Sequence, residues 1–498
     1  MAAPHSLRIR TAVPPLVELQ SLVVFSLVAF FALATELLDR LRGRASGPLS
    51  FVHVWSRHCY ARVRDCWEHE TASAPAARSI DVDGRSGALN FGSYNYLGLE
   101  RDREWANADV NANADADSAQ LKSLDDAAPA HASYERFCAA LSGEAAPHQR
   151  SAAAMLSEAR RALEMRVAEF VGTESALAVS TGFATNLVAL RTVLDCETLV
   201  LSDELAHTSI VAGCRLARCT VRVFKHNSVS ELERELRRAL VCGRNDDDNG
   251  EVNDGGDGTG KRHRAFSRIV VVVEGVYSME GDEAPLFELV ALKRRYPFLL
   301  YVDEAHSIGA LGESGRGACE HAGVSPRDVD VLVGTFSKAF SSVGGYVAGS
   351  RALVEAARSR LAAHETSGPA RPNLVACVHI AHVLGLLSSA RGRTLVARLH
   401  SNARLMRTQL RACGLRVLGA ETSAVIPILV YHPCRFIALQ RRLLKRGIAV
   451  TVVGYPATPV LGGRARLCVS AAHTREDIER AVTEIVGEAR ALGIDYDA

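Results

Sequence analysis

Lys338 sits in Gly334-Thr335-Phe336-Ser337-Lys338-Ala339-Phe340, preceded by the apolar run Val329 to Val333 and followed by Gly344-Gly345-Tyr346. A second apolar run, Phe298 to Val302, ends in Asp303-Glu304-Ala305-His306. One lysine among the 58 lysines and arginines of the chain would signify little. A lysine carried to the mouth of a sheet, with a carboxylate and an imidazole arriving on a neighbouring strand, is the set an aldehyde cofactor requires. Pyridoxal phosphate takes an amine for its Schiff base and a carboxylate for its ring nitrogen.

Two further polar clusters follow apolar runs in the same way. Asp203-Glu-Leu-Ala-His207 comes after the run ending at Leu201, and Glu274-Gly-Val-Tyr-Ser278 after the run ending at Val273. Open α/β sheets bind ligands outside the carboxyl ends of their strands. A single polar residue there is usually a turn or a helix cap; four clusters on one edge, the last containing lysine, point to a site. Asp303 is suited to hold the pyridine nitrogen protonated. His306 is placed to hydrogen-bond the ring hydroxyl, and His207 to stack on the ring and meet a substrate carboxylate. Thr335 and Ser337, with the backbone around Thr181-Gly182-Phe183 at the start of a helix, are placed to hold the phosphate. Ser278 is counted with the cofactor-binding residues.

The elements that must position these residues are legible as short apolar runs alternating with helical patterns. Thr198 to Leu201, Val221 to Phe224, Ile269 to Val273, Phe298 to Val302 and Val329 to Val333 read as strands, and Val229 to Leu240 and Leu286 to Arg295 as helices. Near-continuous apolar strands separated by helices predict an α/β fold with a mostly parallel sheet covered on both faces. After about Pro369 the pattern changes to helix, strands around Ala424 to Tyr431 and Leu467 to Val469, and a closing helix. That helix starts at Thr474, with Asp477 three residues on and Ile478, Ala481, Val482, Ile485, Val486 and Ala489 on one face. The expected organisation is an N-terminal membrane-associated helix in 1–50, a connecting segment in 51–86, a large cofactor-binding domain in 87–369 and a small C-terminal α/β domain in 370–498. Residues 102–130 read as a surface excursion, and 244–264 as a solvated insertion.

Leu19 to Thr35 is free of charge, slightly short for a bilayer span, and followed by Arg40, Arg42 and Arg44. It reads as a membrane anchor, either a short span or a helix lying at the interface. A net charge of +2 gives no reason to expect a nucleic-acid partner. The twelve cysteines form no C-x-x-C pair, so neither zinc nor a disulfide framework is expected, and no metal site is predicted.

Asp303 through Gly317 (DEAHSIGALGESGRG), Gly334-Thr-Phe-Ser-Lys338, Gly454-Tyr-Pro-Ala-Thr-Pro459 and Arg464 through Thr474 (RARLCVSAAHT) together resemble the α-oxoamine synthases. The likeness extends to Val63 through Trp67, Asn90 through Leu99, Leu201 through Val211, Phe224 through Asn227 and Glu274 through Gly281, and covers most of residues 50–498. Within that family the chain is most similar to the lysine-bearing long-chain-base subunits. The resemblance implies a fold-type I, aspartate-aminotransferase-like transferase dependent on pyridoxal 5'-phosphate. It implies condensation of L-serine with a long-chain acyl-CoA, usually palmitoyl, to 3-ketodihydrosphingosine, the first step of sphingolipid biosynthesis. Lys338 would remove the α-proton, His306 and His207 would orient charged intermediates, and Asn95 and Arg466 would hold the serine carboxylate. A lysine-less partner of the long-chain-base subunit 1 type, in a heterodimer at the endoplasmic reticulum membrane with the catalytic domain facing the cytosol, is also implied. The chain departs from the family pattern over 142–164, where Arg160 stands at the place of a histidine. A cofactor-binding subunit with a scaffolding role, or an α-oxoamine synthase using glycine or alanine, stays open beside the serine enzyme.

Overall fold

The computed structural model describes residues 15–41, 78–82, 85–99, 152–242, 265–362, 371–455 and 457–494. The excursion at 102–130, the insertion at 244–264 and most of the connecting segment lie outside them. The described residues fall into two compact units. One draws on Met1–Arg103, Ser278–Asp282 and Arg398–Ala498, the other on Glu104–Tyr277 and Glu283–Ala397.

The larger unit is built on a seven-stranded sheet of β3 (Ser175–Val179), β4 (Thr198–Asp203), β5 (Thr220–Phe224), β6 (Arg268–Glu274), β7 (Leu299–Asp303), β8 (Val331–Thr335) and β9 (Gly345–Gly349). Its order is β3-β9-β8-β7-β6-β4-β5. β4, β5, β6, β7 and β8 pair in parallel, while β9 runs antiparallel between β3 and β8. Central strands such as β4 and β8 are buried at every position, as strands covered on both faces must be.

α1 (Pro15–Leu41) belongs to the smaller unit, and the larger unit carries α2 (Ala152–Val171), α3 (Gly182–Val193), α4 (Thr208–Ala217), α5 (Val229–Cys242), α6 (Leu286–Lys293), α7 (Ala318–Ala322), α8 (Arg351–Ala362) and α9 (Leu374–Ser388). α5 shows how the pattern works: Leu232, Leu236 and Ala239 form its buried stripe, while Glu233 and Arg237 pair on the solvent side at 2.7 Å. A shared core of Leu177, Val179, Leu190, Ile210, Val270, Tyr301, Val333 and Val354 joins sheet and helices.

The smaller unit holds the antiparallel sheet β10 (Val425–Tyr431), β13 (Gly463–Cys468) and β12 (Thr451–Val453), in the order β10-β13-β12. β1 (Ser79–Val82) and β2 (Arg85–Asn90) form a hairpin, and β2 pairs in parallel with β11 (Ile448–Ala449). That pairing ties residues ahead of 103 to the C-terminal part. α10 (Ala390–Ala412), α11 (Pro433–Lys445) and α12 (Arg475–Ala491) complete the chain. Met406, Leu410, Ile426, Leu439, Ile478 and Ile485 share this unit's core. The capping box at the start of α12 forms between Thr474 and Asp477, and Arg78 closes on Asp477 at 2.6 Å.

α1 buries one stripe only. Ser21, Ala32 and Glu36 are covered, and Phe25 meets the Tyr455 ring edge-on at 6.1 Å. Leu19, Leu27, Phe30 and Phe31 stay more than half exposed on the rest of its surface.

Candidate active site

In the larger unit the carboxyl ends of adjacent strands deliver the reactive groups side by side. Asp303 closes β7, opposite Val333 of β8, and Thr335 closes β8 two residues later. The chain then turns through Ser337 and Lys338. Phe336 N–H donates to Gly344 O at 2.9 Å and Ser341 N–H to Lys338 O at 3.0 Å, so the lysine rides on a closed loop. Ser341 adopts a left-handed φ of 47° there, unusual for a residue with a Cβ.

Asp303 is buried, and its carboxylate is fixed from two sides: Asn186 Nδ2 donates to Oδ2 at 2.7 Å and Ala305 N–H to Oδ1 at 2.9 Å. Asn186 also receives the Tyr301 hydroxyl on its oxygen and gives its second N–H to Ser209 Oγ at 2.9 Å. His306 follows in the turn after β7 and is buried.

His207 caps α4. Its backbone N–H donates to Glu274 Oε1 at 2.6 Å, and its Nδ1 lies 2.7 Å from Ser209 Oγ. The Phe183 ring stands edge-on to the imidazole at 6.5 Å. Desolvation lowers the His207 pKa, against the pull of Asp303 and with the help of the Lys338 charge. Burial raises the Glu274 pKa well above the carboxylate range, and the neighbouring Asp303 adds to the effect.

Thr335 Oγ1 lies 2.8 Å from Ser337 Oγ and donates to Gly344 O at 2.9 Å. The start of α3 comes down on it: a Cβ built on Gly182 would fall 2.5 Å from Thr335 Oγ1. Only glycine permits that approach, which brings the N-terminus of a helix against two hydroxyls. This is chemistry suited to a phosphate. The large unit therefore assembles Gly182, Phe183, His207, Asp303, Thr335, Ser337 and Lys338 at one end of its sheet, and an amine, a fixed carboxylate and an anion cradle fit pyridoxal phosphate.

Three expected residues belong to the smaller unit. Arg466 on β13 is buried, its guanidinium sits 4.6 Å over the Tyr94 ring, and its Nη1 reaches Ser278 O at 3.5 Å. Its Nε has no hydrogen-bond partner among the described residues. Ser278 meets Arg466 through its carbonyl. Asn95 is buried, with Oδ1 accepting from Gly98 N–H at 3.0 Å.

Sequence reasoning missed Asn186, Ser209 and Tyr301. The available signal was an asparagine, beside Thr185, on the face of α3 that also carries Ala189, Leu190 and Val193. Asp203, by contrast, is engaged structurally: it takes His226 Nδ1 at 3.0 Å and the Asn227 and Leu205 amides at 2.9 Å.

Comparison with known proteins agrees with this geometry. Residues 89–485 match the family described as aminotransferase class I and II. Long chain base biosynthesis protein 2a of Arabidopsis thaliana is 36% identical over 477 residues, covering 92% of this chain and 88% of that protein. Human serine palmitoyltransferase 3 is 36% identical, covering 86% of this chain and 73% of that protein. Among solved structures, the serine palmitoyltransferase of Sphingomonas wittichii superposes with a TM-score of 0.68 at 28% identity, over 87% of this chain and 95% of that one. The chain belongs to the aminotransferase class I and II family and, within it, to the serine palmitoyltransferase and long chain base biosynthesis protein 2 group.

Proposed function

We propose that this chain is the catalytic, lysine-bearing subunit of a serine C-palmitoyltransferase. It condenses L-serine with a long-chain acyl-CoA, usually palmitoyl, releasing coenzyme A and CO₂ and forming 3-ketodihydrosphingosine. The observation that carries this reading is the Asp303 carboxylate, held by Asn186 and Ala305 on the strand beside the one that leads to Lys338.

When bound, pyridoxal phosphate supplies an aldehyde for amines and a protonated ring that accepts the electron pair left at the serine Cα. Asp303 would hold the proton on the ring nitrogen, and His306 would hydrogen-bond the ring hydroxyl. Thr335, Ser337 and the amides of Gly182 and Phe183 bind the phosphate. Lys338 would be the amine that engages the aldehyde and would take the α-proton of serine. Arg466 and Asn95 anchor the serine carboxylate. A buried, stacked Arg466 guanidinium whose Nε has no partner among the described residues supports this, because planar forks suit carboxylates.

The same reading includes a lysine-less partner subunit in a heterodimer and a place at the endoplasmic reticulum membrane, with the catalytic units facing the cytosol. Pro15–Arg40 is long and apolar enough to cross a bilayer, and its open Leu19, Leu27, Phe30 and Phe31 support a membrane anchor, as a short span or as a helix lying at the interface.

The test is product formation from serine and palmitoyl-CoA by the complex purified in detergent, with mass identification of whatever subunit co-purifies. Condensation with serine and a lysine-less companion support the reading. Turnover with glycine or alanine alone, or a serine-dependent rate untouched by Asp303→Asn, contradicts it.

A further inference from the structure

His207 has two ring nitrogens, and which one carries the proton decides what it can do. We propose that Ser209 and Asn186 are positioning residues that fix His207 as the Nε2–H tautomer, making it a hydrogen-bond donor to its ligand and removing it as a base at that nitrogen.

The chain of donors runs in one direction. Asn186 must turn its amide nitrogen toward Asp303 Oδ2, 2.7 Å away, because a carboxylate has no hydrogen to give. Its oxygen is then the atom that receives the Tyr301 hydroxyl. The second amide hydrogen of Asn186 goes to Ser209 Oγ at 2.9 Å. Ser209 Oγ, accepting there, has its own hydrogen to give, and the acceptor in reach is His207 Nδ1 at 2.7 Å. Ser209 N–H also points at Nδ1, at 3.3 Å, as the cap of α4. Two donors converging on Nδ1 leave it no proton, so the neutral ring carries its hydrogen on Nε2.

The rest of the residue cannot turn away from this arrangement. His207 N–H is tied to Glu274 Oε1 at 2.6 Å, and the Phe183 ring flanks the imidazole. Protonating Nδ1 would set a new N–H against the Ser209 amide. The charged groups acting on the ring are Asp303, which favours the imidazolium, and Lys338, which opposes it. A fixed donor at Nε2 suits an acceptor-only ligand group, such as a carboxylate or a thioester oxygen. The choice between those two rests on the proposed serine condensation; the tautomer does not.

The test is ¹⁵N NMR of the purified complex labelled at imidazole nitrogen, with the His207 signals identified by their loss in His207→Gln. Wild type and Ser209→Thr are expected to show Nε2–H. Ser209→Ala and Asn186→Ala are expected to populate Nδ1–H and to raise the pKa of His207, since donors to Nδ1 stabilise the neutral ring. The wild-type spectrum decides by itself if a variant fails to assemble. Nδ1–H as the main wild-type tautomer, or Ser209→Ala and Asn186→Ala spectra identical to wild type, would overturn the proposal. A complex that forms no product from serine and acyl-CoA yet shows Nε2–H at His207 would remove the proposed function and leave the tautomer assignment standing.

Discussion

Arg466 stacks on Tyr94 with its guanidinium carbon 4.6 Å from the ring centre, while Arg464, two residues earlier on the same strand face, is consumed by other partners. Arg464 gives Nε to Gly462 O at 2.7 Å and Nη1 to Met279 O and Glu280 Oε1 at 2.8 Å. One arginine is thus engaged on every side, while the Nε of the other has no hydrogen-bond partner among the described residues.

Arg466→Lys should raise KM for serine by about 10- to 100-fold, the worth of a charge-assisted hydrogen bond of about 1.5–3 kcal/mol. Arg464→Lys should instead lower the denaturation midpoint. Steady-state kinetics in serine, beside unfolding curves, separate the two; equal effects of both variants on KM would contradict the division of labour.

Asp303→Asn should leave the fold intact and lower turnover by roughly 10²- to 10⁴-fold, the range of a lost proton-holding group. Asn186→Ala should give a smaller loss in the same direction, since it frees the carboxylate without removing it. Single-turnover rates with serine and acyl-CoA would check the order, and a larger effect at Asn186 than at Asp303 would reverse it.

Stability should respond to pH through two buried groups of opposite sign. Burial carries the His473 pKa down to about 4; Ser470 N–H donates to its Nδ1 at 3.1 Å, so the ring is held neutral. Its contribution is present above the unfolded value near 6.5 and is lost as pH falls from there through about 4. Burial pushes Glu304 up to about 8, so its contribution is complete below the unfolded value near 4.3 and is lost as pH rises through about 8. Denaturation midpoints across pH should show the Glu304 loss between about 4.3 and about 8 removed by Glu304→Gln, and the His473 loss between about 6.5 and about 4 removed by His473→Asn. A pH profile from about 4.3 to about 8 unchanged in Glu304→Gln would contradict the assignment.

Arg160 donates to Pro372 O at 2.7 Å and Arg371 O at 3.3 Å, and Glu164, one turn further on, takes Arg371 at 2.7 Å and Arg358 at 2.9 Å. The residue that departs from the family pattern is engaged in holding the segment before α9. Arg160→Ala should cost about 1–3 kcal/mol of stability with cofactor absorption unchanged. Loss of the cofactor at unchanged stability would assign Arg160 to the site instead.

The strands of the large sheet were legible because covered parallel strands are written as unbroken apolar runs, and the capping box at Thr474 because its two residues lie three apart. The site was half legible. Lys338, Asp303 and Thr335 announce themselves as polar residues ending apolar runs, whereas Asn186 finds Asp303 across 117 residues and no local pattern encodes that meeting. Arg464 and Arg466 share a face and a residue type, so only the position of Glu280 tells them apart. The pairing of β2 with β11, Leu89 opposite Ile448, is equally absent from any local pattern.

The central claim is that Lys338 is the amine that engages the cofactor. Borohydride reduction of the purified, cofactor-loaded complex followed by peptide mass mapping tests it most directly. A phosphopyridoxyl group on Lys338, absent from Lys338→Ala together with product formation, is the predicted result. The same group on another lysine of this chain, or product formation that survives Lys338→Ala, would contradict the account.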